Sequence, residues 1–120
     1  MTLDASALVT IHRRGADWEQ LVQQAMDSGN ARVPATALAE AGMILIAQGD
    51  LRDLVGLIEL VQTLKLTVVP FTERDWCAAV HEYRRRRDSD TYASARFGDC
   101  LTAAVAVRTG TTVLAAPKAG

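Results

Sequence analysis

The sequence predicts an α/β fold in which a short parallel sheet is covered by helices on both faces. Three observations predict it. Brief apolar or β-branched runs ("ARVP", "LTVVP", "TTVLAA") alternate with stretches of helical periodicity. The alternation runs through 120 residues with no internal repeat and no low-complexity linker, as a single domain over 1–120 would. The composition, 49% hydrophobic and 22% charged, belongs to a globular chain long enough for one core and too short for two.

The elements follow in order. "MTLDASAL" reads as a very short strand ending at Asp4 and turning into a helix. Residues 18–27 predict a second helix, stopped by the "SGN" breaker at 28–30. "ARVP" reads as a short strand, and 36–48 as a compact apolar helix ended by Gly49. Leu51, Leu54, Leu57, Ile58, Val61 and Leu64 recur at helical spacing, which predicts an amphipathic helix over 51–65. "LTVVP" is the clearest strand, closed by Pro70. A helix over 73–87 follows, then the polar stretch "RDSDTYASAR". "RFGDCLTAAVAV" predicts a buried helix headed by Asp99, and "TTVLAA" a last strand after the Gly110 stop.

Composition also excludes classes of function. A net charge of −1 does not announce a nucleic-acid partner, so local clustering has to carry that argument. No uninterrupted apolar stretch is long enough to span a bilayer, and the N-terminus lacks a basic segment followed by an apolar one. Cys77 and Cys100 form no C-x-x-C pair and no zinc-spaced set with His12 and His81. Both lie in apolar helical stretches and are expected to be buried, reduced thiols, as in a soluble protein of the cytoplasm.

Ligands of parallel sheets bind beyond the carboxyl ends of the strands, which draws attention to Asp4. Asp4 and Asp99 each have an ordinary explanation as helix N-caps, favoured by the helix dipole. Ser6 is an equal candidate for capping the first helix, which would release Asp4. Glu40 is different, because it is the only charged residue between Arg32 and Asp50. Its helical-face neighbours are Thr36, Ala37, Met43, Ile44 and Ala47. A capping box needs the acid three residues after the hydroxyl, and the gap from Thr36 is four. A buried carboxylate without a partner costs several kcal/mol. Glu40 therefore either pairs with an arginine from another segment or serves as a metal ligand or catalytic acid.

Were Asp4, Glu40 and Asp99 to converge, two unit charges about 4 Å apart would repel by roughly 4 kcal/mol at an effective dielectric near 20. Such a cluster persists by taking up protons or by holding a cation. Carboxylates without imidazole or thiolate partners are hard ligands, suited to Mg²⁺ or Mn²⁺. An ion so held is suited to phosphoryl chemistry.

"LDASAL", "ALAEAG" around Glu40 and "FGDCLTAAVA" around Asp99 resemble the PIN-domain ribonucleases, and most of all the VapC-type toxins of toxin–antitoxin pairs. The likeness covers essentially the whole chain, including "LTVVPFT". It implies a three-layer α/β/α sandwich with a short parallel sheet. It also implies Mg²⁺- or Mn²⁺-dependent endonucleolytic cleavage of RNA of the transfer or ribosomal class, restrained by a cognate VapB-type antitoxin. By position, Asp4, Glu40 and Asp99 match the metal-binding acids, and Ser6 the hydroxyl residue that orients the first of them. Homodimerisation, and an antitoxin segment lying across apolar positions near 43–46 and 51–58, follow from the same resemblance.

Two departures stand out. Arg96 occupies the position where the family often has Asn. Pro117, Lys118 and Ala119 stand where a fourth acid usually follows the last strand, and the helix and strand usual beyond it are not present. This is the pattern of a domain lacking its C-terminal end, or of a degenerate, non-catalytic domain that binds RNA or antitoxin. A receiver-like phosphoacceptor domain fits less well, since only Asp4 follows the first strand and Glu40 is mid-helix.

Arg84, Arg85, Arg86 and Arg87 form a run of four at a helix end. Cations there complement the helix dipole, but four in succession face several directions. With Arg96 they are candidates for holding RNA phosphates beside the acids. Arg13 and Arg14 are weaker candidates, as is Tyr92 for stacking on an unpaired base.

Overall fold

The computed structural model describes residues 1–49, 53–88 and 96–117. Four strands, β1 (Thr2–Leu3), β2 (Arg32–Pro34), β3 (Thr67–Val69) and β4 (Val113–Leu114), form one parallel sheet in the order β3-β2-β1-β4. Six helices accompany them among the described residues: α1 (Ala5–Arg13), α2 (Trp18–Asp27), α3 (Ala35–Ala47), α4 (Asp53–Thr63), α5 (Asp75–Arg87) and α6 (Phe97–Thr109). The expected α/β class and α/β/α layering stand.

The strands are only two or three residues long, so the sheet is held by burial more than by its ladder. Leu3 and Val33 are fully buried, and the core gathers them with Leu8 and Ile11 of α1, Leu21 of α2, Leu45 of α3 and Leu57 of α4. Helices α5 and α6 form a second packed pair, more extensively in contact than any other two elements. The expected burial of α6 holds: Cys100 and every residue from Thr102 to Ala106 are buried. Gly110, with φ of 65°, ends that helix in a left-handed turn that costs a glycine little.

Where element bounds differ from expectation, local hydrogen bonding explains it. The fifth helix begins at Asp75 rather than 73, because the Asp75 N–H donates to the Thr72 carbonyl at 2.9 Å and holds Glu73 and Arg74 in a turn. Cys100 is buried as expected, but Cys77 is exposed on α5, a correction to the reading of both thiols as buried. Helix α5 buries Asp75 and Ala79, and Cys77, two residues from each, falls on another face of the helix. The stretch expected to be polar and irregular lies largely outside the described residues, as do Leu51 and Tyr92.

In a parallel sheet the carboxyl ends of all strands share one edge. Helices α1 and α3 start at that edge, directly after β1 and β2. Helix α6 runs back toward the amino end of β4, so its own amino end also lies there. Strand order places β1 between β2 and β4, with the chain leaving β1 toward one side and returning on the other. That reversal is where parallel α/β sheets open a crevice.

Candidate active site

The topology therefore delivers Asp4, Glu40 and Asp99 to one edge of the sheet. Asp4 is buried and extended, and its side chain caps α1. Its Oδ1 accepts from the Ala7 N–H at 2.9 Å and from the Ser6 hydroxyl at 2.7 Å. Asp4 is thus the cap, and the alternative in which Ser6 takes that place does not hold. Ser6 instead orients Asp4, and its own oxygen accepts from the Ala116 N–H at 2.9 Å. The Asp4 N–H donates to the Leu114 carbonyl at 3.1 Å. Both of these bonds land on Oδ1.

Burial pushes the Asp4 carboxyl above the usual carboxylate range; the Ser6 and Ala7 bonds oppose this, and the Asp99 charge adds to it. Glu40, half-buried on α3, is pushed up for the same first reason, then by the charges of Asp99 and Asp4, with Arg96 pulling the other way. The charge of Asp99 bears on both, so the acids form a repelling group. Glu40 makes no salt bridge with a described residue, so the ion-pair explanation of its place falls away. Its carboxylate lies over Gly98 in the first turn of α6, one residue from Asp99.

Among the described residues no group of three or more His, Cys, Asp or Glu side chains is arranged, as it stands, to hold a metal ion. The donor set itself suits a hard divalent cation: all oxygen, with the charge of Asp99 bearing on the other two acids and Glu40 in no salt bridge with a described residue. Of the residues that stand where a fourth acid was expected, Pro117 comes directly after Ala116, whose N–H is fastened to Ser6. Lys118 and Ala119 lie outside the described residues.

The arginines divide. Arg96 stands at the N-cap position of α6 without making a side-chain cap, exposed and close enough for its charge to act on Glu40. Arg85 and Arg86 both bind Glu82, at 2.7 and 3.2 Å, and Arg87 binds Asp88 at 3.2 Å. Arg84 is exposed and makes no ion pair with a described residue. Arg14 ends α1 with φ of 51° and lies over the Trp18 ring at 5.3 Å, a contact at the junction of α1 and α2 rather than a place beside the acids.

Sequence reasoning missed two features. One is the pair Asp75–Arg108 with its companions Thr72 and Pro70; the T-x-x-D spacing of Thr72 and Asp75 was the available signal. The other is an apolar cavity of about 390 Å³ between α5 and α6, lined by Trp76, Tyr83, Phe97 and Leu101 among others. Met43, Ile46, Leu54 and Ile58 are exposed on α3 and α4, within the stretches where the resemblance led us to expect an antitoxin segment.

Residues 1–116 match the PIN domain family. The chain belongs to that family. Among known PIN-domain proteins, it is 32% identical over 108 residues to VapC ribonuclease Mb0625 of Mycobacterium bovis, covering 89% of this chain and 81% of that protein. Ribonuclease VapC28 of Mycobacterium tuberculosis matches with the same identity and coverage. The crystal structure of Mycobacterium tuberculosis VapC20, described as a sarcin-ricin loop cleaving toxin, has a TM-score of 0.71 to this PIN domain at 18% identity. It covers 97% of this chain and 88% of that one, a likeness of fold. No described helix is long and apolar enough to cross a membrane.

Proposed function

We propose that this PIN domain is a metal-dependent endoribonuclease toxin, acting on RNA of the transfer or ribosomal class and held in check by a VapB-type antitoxin. The observation that carries the reading is that Asp4, Glu40 and Asp99 come from three separate elements to one sheet edge, where burial and the charge of Asp99 act against ionised Asp4, and burial with the charges of Asp99 and Asp4 against ionised Glu40. An arrangement that costs stability and makes no salt bridge with a described residue to offset it is one kept for a ligand. The similarity to VapC ribonucleases supports the same reading.

In this account Asp4, Glu40 and Asp99 would hold Mg²⁺ or Mn²⁺, with Ser6 and the Ala7 N–H fixing the Asp4 carboxylate through Oδ1. The ion, when bound, supplies a more acidic water and neutralises charge on a phosphodiester. Asp99 lies in the first turn of α6, beside the helix amino end. Arg96 and Arg84 offer charges to flanking phosphates, with Arg85, Arg86 and Arg87 contributing where their acidic neighbours release them. The exposed apolar side chains of α3 and α4 supply a surface for the antitoxin, and those of α5 and α6 one for a homodimer. The cytoplasm is the compartment such a toxin works in.

A second reading has one observation in its favour. The segment after β4, fastened beside Asp4 through Ser6, carries no carboxylate as far as Pro117, as in a domain that binds RNA or antitoxin without cutting. The two readings part in one assay: purified protein incubated with total RNA in Mg²⁺ or Mn²⁺, with EDTA as the control. Defined cleavage sites that vanish in EDTA support the nuclease. Intact RNA under both ions, or cutting unaffected by EDTA, overturns it.

A further inference from the structure

Glycine is a poor helix residue, because it loses the most backbone freedom on folding and packs nothing. Gly98 nevertheless sits as the second residue of α6. Its backbone does not ask for glycine, since the glycines with positive φ among the described residues are Gly29, Gly49 and Gly110. The demand comes from α3. A Cβ at position 98 would stand 1.9 Å from Glu40 Oε1, 2.6 Å from its Cδ and 2.8 Å from Oε2. Those three nearest atoms are the whole of one carboxylate, the far end of a flexible side chain.

We propose that Gly98 is a positioning residue for Glu40: the side chain it lacks is the seat on which the Glu40 carboxylate rests, beside Asp99. The helix gives up propensity at that position so that an acid from another element can lie across its first turn. A methyl group there displaces the carboxylate and leaves the fold, because Glu40 rotates away more cheaply than either helix moves. Alanine at 98 would even favour the helix itself. The inference rests on the reading of Glu40 as a cation-binding acid.

The test compares the full chain with Gly98→Ala, Glu40→Gln and the double variant, by thermal melting and by calorimetric titration with Mn²⁺, with RNA cleavage alongside. Gly98→Ala is expected to melt at or above the parent temperature and to bind Mn²⁺ about 10- to 100-fold more weakly, the loss typical when a ligand's support is removed. In the Glu40→Gln background the alanine should add no further loss, since the group it displaces no longer serves. Parent-like Mn²⁺ binding by Gly98→Ala, with Glu40→Gln defective, overturns the proposal and leaves Glu40 as a ligand. A Gly98→Ala protein that unfolds also overturns it, because the methyl would then be meeting more than a movable carboxylate. Parent-like binding and cleavage by Glu40→Gln overturn the ligand role and the seat together.

Discussion

Arg108 Nε donates to Asp75 Oδ1 at 2.8 Å, joining the last turn of α6 to the first turn of α5. Asp75 is almost wholly buried, and its Oδ2 accepts from the Thr72 N–H at 2.8 Å and the Thr72 hydroxyl at 3.1 Å. Arg108 also donates through Nη2 to the Pro70 carbonyl at 2.8 Å. One buried carboxylate thus fixes how α5, α6 and the end of β3 meet. Removing one partner of such a pair strands a buried charge, at a cost of about 3 kcal/mol. Arg108→Met should lower the urea-unfolding free energy by about that amount, with cleavage per folded molecule retained. A loss under about 0.5 kcal/mol, the usual range of surface substitutions, would show the pair to be ornamental.

The same pair sets part of the acid response. Burial alone would raise the Asp75 carboxyl, but the bonds from Arg108 and Thr72 outweigh it and hold it below its ordinary 3.8. A lowered pKa means stability that is fully present above the unfolded value and is lost as pH falls through the folded one. Asp4 and Glu40 have the opposite sign: their cost is present at neutral pH and is relieved as they take up protons on acidification. Urea midpoints measured downward from pH 7 should therefore fall less steeply below pH 4 in Arg108→Met than in the parent. Parallel curves for the two proteins would refute the assignment.

Acids held together for a ligand weaken the fold that holds them. Glu40→Gln should gain about 1 kcal/mol of stability in EDTA and raise Tm by a few degrees, while abolishing cleavage. Asp4→Asn should behave alike, since Asn also caps helices and can still accept from Ser6 and Ala7. Differential scanning calorimetry in EDTA decides it. Destabilisation by both substitutions would mean that the acids are structural.

The reach of the sequence can be judged on these residues. Glu40 was legible because a lone charge in an apolar helix has few explanations, Asp4 because it stands where a strand turns into a helix, and Asp99 because it heads an apolar helical run. Apolar spacing, breakers and the strand-to-helix turn together located the helices; the bounds of α2 match, and those of α3 and α5 differ by one or two residues, as where the turn at Thr72 intervenes. The Asp75–Arg108 pair was not legible, since its members are 33 residues apart and each looks like an ordinary helix-end charge. The seat at Gly98 was equally hidden, because a glycine's reason lies in the atom it makes room for. The orienting role of Ser6 came from resemblance, and its bond to Ala116 could not have been read from spacing.

The arginine run should not act as a unit. Arg84 and Arg96 make no salt bridge with a described residue, whereas Arg85 is committed to Glu82. RNA binding by an Asp99→Asn background should weaken more for Arg84→Ala and Arg96→Ala than for Arg85→Ala. Each of the first two should reduce the slope of log affinity against log salt by about 1, as loss of one phosphate contact does. Fluorescence anisotropy over a KCl series measures both quantities, and equal slopes for all three variants would contradict the division.

The most direct measurement of the central claim is Mn²⁺-dependent RNA cleavage by the parent chain beside Asp4→Asn, Glu40→Gln and Asp99→Asn, all shown to be folded. The account predicts that the parent cuts and that each amide variant falls by at least about 100-fold, because each removes a ligand of one ion. Undiminished cleavage by folded Asp99→Asn would contradict it.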